Sequence, residues 1–428
     1  MRTTQDSIER RKAPRSIAEV GVPLTFAAEL TAKVLFVQGR QRLIDLGDTI
    51  KLPPSVMAEI LGFMRTQRLV EIQKGGATEA EAEYHLTESG RARAIEALER
   101  CQYAGPAPVP LADYASTVNA LSRCRPKLTA AVVRQTLADL IVPSATIDQL
   151  GAAMNSGRAV LLYGPAGSGK TFLAEHLARL LPGTVEIPYS VEVGGEVIQL
   201  FDPLVHQPVH APRDTGSSSV LRSGDDSRWV TCSRPVVVTG GELSLQMLDL
   251  QFDAGTRFYQ APPHVKANGG LLVIDDLGRQ LVSPRDLMNR WIVPLSRRVD
   301  FLSLHSGFKF IVPFDLNVVF STNLRPSELA DEAFLRRFGY KVYVGPLELD
   351  AYRKVFQTVC AELGVGYDEG AFEWLIAEKH TRQERALLAC YPQDLVGRIS
   401  DFAEYEGSDL TLTPSSLERA WATYFSID

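Results

Sequence analysis

The stretch LLYGPAGSGKTFLAEHLARLL, residues 161–181, constrains this chain more than any other. An apolar run enters Gly164; after four intervening residues come Gly169, Lys170 and Thr171, and an amphipathic segment follows. That order reads as a strand, a glycine turn and a helix. Glycines let successive backbone N–H groups turn inward around an anion, and the start of the helix adds the positive end of its dipole. A lysine at this spacing reaches β- and γ-phosphates, and the hydroxyl after it suits Mg²⁺. Gly164, Pro165, Ala166, Gly167, Ser168, Gly169, Lys170 and Thr171 are therefore expected to cradle ATP, with Thr171 on the metal.

A second stretch, GGLLVIDDLGRQ, carries four apolar residues, Leu271–Ile274, straight into Asp275 and Asp276. Carboxylates at the end of a buried strand are costly unless a cation pairs with them. A phosphate-binding loop needs such a strand to bring an acid to its metal. Asp275 is expected to hold Mg²⁺, partly through water, and Asp276 to orient the attacking water.

Around these motifs the pattern divides the chain. Residues 1–20 are polar and charged and read as a disordered tail. Residues 21–101 give three helical segments, a hairpin and a last helix capped by Thr87, the pattern of a winged helix. Three prolines in YAGPAPVPLADY suggest an extended linker over 102–113. Residues 114–346 alternate strand-like and helix-like segments, as an α/β domain does. Five candidate strands stand out there: AVLLYG, VEIPYS, LLVID, NVVFSTN and YKVYV. From 347 to 428 the pattern is helical, with Thr413 and Pro414 opening the last helix.

Bulk properties exclude some classes. A hydrophobic share of 45 % and a net charge of −6 describe a globular chain without the basic excess of a general nucleic-acid binder. No stretch has the apolar length of a membrane span, and the N-terminus lacks the apolar centre of a signal peptide. The five cysteines are scattered and odd in number, which suits reduced thiols in a cytoplasmic protein. Pro203 and Pro208 prevent the helix that would align His206 and His210 on a metal.

With both motifs in place, the chain resembles the AAA+ ATPases. The resemblance implies a P-loop NTPase core with a parallel five-stranded sheet, a C-terminal helical lid and an oligomer, most commonly a six-membered ring. NVVFSTN resembles the family's sensor-1 strand, which makes Asn323 the residue beside the γ-phosphate. DEAFLRRFGY resembles the segment with the arginine finger, so Arg336 or Arg337 would reach the neighbouring subunit's nucleotide. DFLSLHSGFKFIVPFD reads as a hairpin and resembles the presensor insert of the chelatase and helicase branch. The segments LFDPLVH, GGELSLQMLDL, YQAPPHVKANGGLLVIDDLGRQ and NRWIVPLSRRVDFLSLHSGFKFIVPFD resemble a bacterial AAA+ group described as ATPases with chaperone activity, loosely linked to pilus assembly.

Two departures qualify the chemistry the resemblance implies. The common motif ends Asp-Glu, and Asp276 is one methylene shorter, so slow hydrolysis is expected. Gln393, in YPQDLVGRI, stands where relatives carry a sensor-2 arginine, and it brings no charge; Arg398 is off the same helical face. Phe258 and Tyr259 are candidates for a pore loop that grips a partner, or for core. Two functions remain open: an ATP-driven remodeller or assembler of a protein complex, or a DNA-binding ATPase or regulator. The expected recognition helix presents Ser55, Ala58, Glu59 and Gly62, with bases only at Arg65 and Arg68. Its wing, KGGATEAEAEY, carries one lysine and three glutamates. Groove-reading helices bring Arg, Lys, Asn or Gln in their first half, so a protein partner is favoured.

Overall fold

The computed structural model describes residues 11–74, 82–123, 127–209, 224–329 and 332–425. Its centre is a five-stranded parallel sheet in the order Val236–Thr239, Leu271–Ile274, Asn317–Thr322, Val160–Tyr163, Tyr340–Tyr343. The strand entering the glycine loop (the loop strand) and the strand ending in the two acids (the acidic strand) thus flank the strand that precedes Asn323 (the sensor strand). All three loops emerge at one end of the sheet.

Both faces of the sheet are covered, which is why its inner strands are continuous apolar runs. On one face Val160, Leu162, Val273 and Val319 pack with Leu150, Met154, Leu173 and Leu177. On the other, Leu161, Leu272, Ile274, Val318 and Phe320 meet Leu287, Met288 and Trp291. The helix Ser144–Ser156 precedes the loop strand, Lys170–His176 follows the glycine loop, and Pro284–Arg297 follows the acidic loop.

One expected strand of this sheet is replaced. The segment of VEIPYS is a strand, Thr184–Pro188, but it pairs antiparallel with Trp229–Ser233 in a separate ribbon. Its burial alternates, Val185 and Ile187 inward, Thr184 and Glu186 only partly covered. A charge between two apolar residues, Glu186 between Val185 and Ile187, suits a half-buried ribbon and not a strand covered on both faces. The fifth strand is Val236–Thr239, at the sheet edge, with Val238 exposed.

The long stretch between the loop helix and the acidic strand builds a second layer. Its sheet runs Gln251–Phe252, Tyr259–Gln260, Glu196–Gln199, Ser190–Val193, Val109–Pro110. The hairpin Val299–Ser303 with Lys309–Pro313 packs on this layer together with the helix Leu111–Arg123.

The N-terminal residues form their own apolar cluster. Helices Leu24–Gln38, Leu43–Ile50 and Pro54–Thr66 accompany a sheet ordered Gln41–Arg42, Glu83–Leu86, Val70–Lys74, whose first strand lies between the first two helices, and Glu88–Arg100 closes the unit. Val56, Met57, Ile60, Leu61 and Met64 of the third helix face inward, and Thr87 caps the last by accepting from Gly90 N–H at 3.0 Å. The tip of the expected wing lies outside the described residues.

Two expected flexible segments are built into the fold. Residues 11–20, read as tail, are held: Arg11 lies over the Trp229 ring at 4.9 Å, Ala13 N–H donates to Gly224 O, and Ile17–Val20 is helical. The proline-rich span 102–113 is no free spacer either. Val109 pairs with Val191 at a sheet edge, where Pro110 lacks nothing, and the buried Tyr103 donates to Pro106 O and accepts from Ser190. The C-terminal helices Leu349–Glu362, Glu369–Trp374, Cys390–Glu406 and Pro414–Tyr424 share a last cluster. Thr413 and Ser416 form a reciprocal cap at its final helix.

Candidate nucleotide site

The glycine loop follows a tightly turned path. Gly164, Gly167 and Gly169 all have positive φ, at 151°, 78° and 91°. A Cβ at Gly164 would sit 2.1 Å from Val344 O, and one at Gly167 would sit 2.4 Å from Cys390 Sγ. Only glycine fits this path.

Lys170 opens the following helix and folds back over the loop. Its ammonium donates to Gly164 O at 3.1 Å, to Pro165 O at 2.8 Å and to Asn323 Oδ1 at 2.7 Å. Burial pulls the Lys170 pKa below the ordinary lysine value, opposed by the nearby charges of Asp275 and Asp276. Thr171 Oγ1 donates to Asp275 Oδ2 at 2.7 Å, so the two expected metal ligands already touch. Asn323 turns its other end to the second acid: its Nδ2 donates to Asp276 Oδ1 at 3.2 Å. Arg279 Nη1 stands 3.8 Å from the other side of Asp276.

Loop, acids and sensor therefore meet in one hydrogen-bonded cluster. Lysine and arginine oppose two aspartates, which answers the cost of placing carboxylates at the end of a buried strand. The residues fit a triphosphate with Mg²⁺. Ser168 Oγ is buried without a partner among the described residues, the loop has no side chain at its three glycines, and Thr171 with Asp275 supplies hard oxygen donors.

Other candidates stand apart. Arg336 is exposed, outside this cluster, just after the short helix Glu332–Leu335. Arg337 lies 5.9 Å from the Phe334 ring, and Phe334 packs edge-to-face on the buried Phe338 at 5.4 Å. Gln393 is exposed in the first turn of Cys390–Glu406. Arg398 donates to Asp394 O at 2.9 Å and covers the Tyr424 ring at 4.7 Å, so it is engaged within the C-terminal helices. Those helices instead meet the loop through Cys390, whose N–H donates to Gly167 O at 3.0 Å.

The pore-loop reading of Phe258 and Tyr259 gives way to a core one. Tyr259 is 3 % exposed, and its hydroxyl accepts from His305 N–H at 2.8 Å; Phe258 meets Tyr103 edge-to-face at 5.6 Å. His206 is likewise structural. Its Nδ1 accepts from Asp202 N–H and its Nε2 donates to Lys266 O, both at 2.9 Å, and burial holds its pKa below the usual value. His210 lies outside the described residues, among which no three His, Cys, Asp or Glu side chains gather as a metal site would need. The thiols of Cys101, Cys232, Cys360 and Cys390 are free.

Sequence reasoning missed Thr322, Gln280 and Cys390. Thr322 donates to Leu277 O at 2.6 Å, joining the sensor strand to the loop after the acids. The first two residues adjoin recognised motifs and could have been suspected; nothing in the spacing announces Cys390.

Comparison with known proteins gives partial matches. Residues 137–227 match the family described as magnesium chelatase, subunit ChlI, and residues 348–423 match a domain of unknown function, DUF8689. No curated protein sequence matches the chain. Among solved structures, NtrX from Brucella abortus is 14 % identical with a TM-score of 0.42, over 69 % of this chain and 59 % of that one. NtrX in complex with ADP is also 14 % identical, with a TM-score of 0.41, over 77 % and 65 %. The chain thus spans under two thirds of the NtrX chains. The RuvB Holliday junction branch migration motor of Thermotoga maritima is 16 % identical with a TM-score of 0.37, over 71 % and 74 %.

Proposed function

We propose that this chain, whose core has the AAA+ P-loop fold, binds ATP with Mg²⁺ and hydrolyses it slowly as a homo-oligomer that remodels or assembles a protein complex. The observation that carries the reading is the single cluster of Thr171–Asp275 and Lys170–Asn323–Asp276. The backbone N–H groups of the glycine loop and Lys170 bind the phosphates. Thr171 and Asp275 hold the metal, which when bound screens the charge on the phosphates. Asp276 and Asn323 orient the water. Arg336 or Arg337 of a neighbouring copy stabilises the charge that develops on transfer. The expected slowness rests on the short reach of Asp276, and the neutral Gln393 makes closure of the C-terminal helices on nucleotide weak.

The test compares phosphate release by wild type, Lys170→Ala and Asp276→Ala at concentrations where the protein assembles. Lys170→Ala should lose nucleotide binding. Asp276→Ala should bind nucleotide and release no phosphate. If wild type releases no more than Asp276→Ala, the hydrolysis reading is wrong.

The N-terminal unit has the element order of a winged helix, and we read it as a protein-docking module. One observation favours this over DNA. The helix Pro54–Thr66, which would enter a groove, is approached by the preceding chain: Ile17 N–H donates to Glu59 at 2.9 Å and Ser55 Oγ to Arg15 O at 3.5 Å. Its N-terminal half is thus engaged within the chain. Binding to arbitrary duplex that falls steeply with salt would reverse this preference. No helix among the described residues is long and apolar enough to cross a membrane.

A further inference from the structure

We infer that Gln280 is a positioning residue for the nucleotide reaction, holding Asp276 in the one backbone conformation that turns its carboxylate to Asn323. This rests on the ATPase reading above.

Asp276 is left-handed, at φ 49°, a region that non-glycine residues enter at a cost and keep only when their surroundings impose it. Its neighbours are fixed to two strands. Asp275 N–H donates to Thr239 O at 2.8 Å and Leu277 N–H to Ser321 O at 2.7 Å. These bonds hold the loop where it leaves the sheet; Arg279 N–H closes the turn on Asp276 O at 2.9 Å, and Thr322 Oγ1 donates to Leu277 O at 2.6 Å. Gln280 adds the side-chain clamp that spans the loop. Its Nε2 donates to Asp275 O at 2.9 Å and reaches Gly240 O at 3.4 Å, while its Oε1 accepts from Gly278 N–H at 2.8 Å. One amide thus joins both ends of the loop 275–280 and ties it to the turn after the edge strand.

The placement of Gln280 contrasts with that of its neighbours. Gln280 is 9 % exposed, whereas Leu281 is 90 % exposed, and the Arg279 side chain is 67 % exposed. A glutamine is buried only if its donors and acceptors are met, and here they are met by the backbone of the acidic loop and by Gly240 O. Gln280 makes no hydrogen bond to Lys170, Thr171 or Asn323 among those described, so it acts through Asp276 and not on the nucleotide itself.

The experiment uses the full-length protein under assembling conditions. Gln280→Met keeps the length of the side chain and removes both hydrogen-bonding ends. We expect kcat for ATP hydrolysis to fall at least tenfold, while KM and the Kd for a fluorescent ADP stay within threefold of wild type. A kcat within twofold of wild type, or a loss seen equally in KM and Kd, overturns the inference. If Gln280→Met does not fold, Gln280→Asn, which keeps the amide and shortens its reach, is judged by the same two readouts. If wild type itself releases no phosphate beyond Asp276→Ala, the hydrolysis reading fails. The positioning claim is then decided by the crystal structure of the variant: Asp276 leaving the left-handed region and its Asn323 bond supports it, and an unchanged loop overturns it.

Discussion

Gly167 lies directly beneath the C-terminal helices, and replacing it by alanine has a calculable effect. The new Cβ would be 2.4 Å from Cys390 Sγ and 3.4 Å from Cys390 Cβ, on a backbone with φ 78°. Two costs therefore add. Holding alanine in the left-handed region costs about 1–2 kcal/mol. Overpacking against the sulfur costs about 1–3 kcal/mol more. If the loop meets both costs to keep its nucleotide-binding shape, affinity falls by a factor of roughly 30 or more, since about 1.4 kcal/mol is tenfold. Cys390→Ala removes the sulfur and leaves Cys390 Cβ at 3.4 Å and Leu388 Cδ1 at 3.8 Å, both ordinary van der Waals distances. The double variant should therefore retain only the backbone cost, a loss of roughly 5- to 30-fold. Cys390→Ala alone should bind like wild type. Titration of a fluorescent ADP analogue against all four proteins gives the coupling energy, expected to be at least about 1 kcal/mol. Additive losses, or Gly167→Ala binding within twofold of wild type, would refute the packing of the C-terminal helices on the loop.

Other expectations follow from charge and placement. Arg336→Ala with Arg337→Ala should keep nucleotide affinity and lose turnover, because a finger acts on the neighbouring copy; retained phosphate release would remove the trans mechanism. Asp300 sits at the base of the hairpin, 2 % exposed, with both Arg290 nitrogens at 2.7 and 2.8 Å and His264 Nε2 at 2.9 Å. Burial alone would raise its pKa, but the close approach of His264 and the paired bonds from Arg290 hold it down at about 2. Asp300→Asn should therefore destabilise the protein by about 3 kcal/mol at neutral pH, as breaking a buried pair does. Because the folded value is depressed, that contribution is present above the ordinary carboxylate value of 3.8 and fades as pH falls toward 2. Melting of wild type and Asp300→Asn should converge over that range, and a gap independent of pH would show that charge is not its source.

What was legible followed from how local the cause was. The meeting of the glycine loop, Lys170, Thr171 and the aspartate pair could be read because the motifs fix residue types at short spacing. The exchange of one core strand was legible in principle. VEIPYS places Glu186 between Val185 and Ile187, a half-buried alternation, whereas Val236–Thr239 is the uninterrupted run a parallel sheet prefers. The spacer reading of residues 102–113 relied on prolines, yet an edge position accommodates Pro110 within a sheet. The aromatic pair at 258 and 259 looks the same in sequence whether it grips a partner or fills a core. Contacts such as Arg11 on Trp229 or Cys390 on Gly167 join residues more than two hundred positions apart, and no periodicity records them.

Asn323 shows how much one such residue settles once the strands are in order. Its oxygen faces the ammonium of Lys170 at 2.7 Å, and its nitrogen faces the carboxylate of Asp276 at 3.2 Å. An amide has an acceptor for the cation and a donor for the anion on two separate atoms of one short side chain, and carries no charge of its own. An aspartate at this position would still accept from Lys170 but would set a second negative charge against Asp276. A leucine would remove one hydrogen bond from each charge, leaving Lys170 to the loop carbonyls and Asp276 to Arg279. The sheet order makes the bridge possible, since the sensor strand lies between the loop strand and the acidic strand. A side chain at its end is the shortest link from Lys170 to Asp276. Asp276 thus meets one cation directly, Arg279 at 3.8 Å, and a second, Lys170, through an amide from the intervening strand.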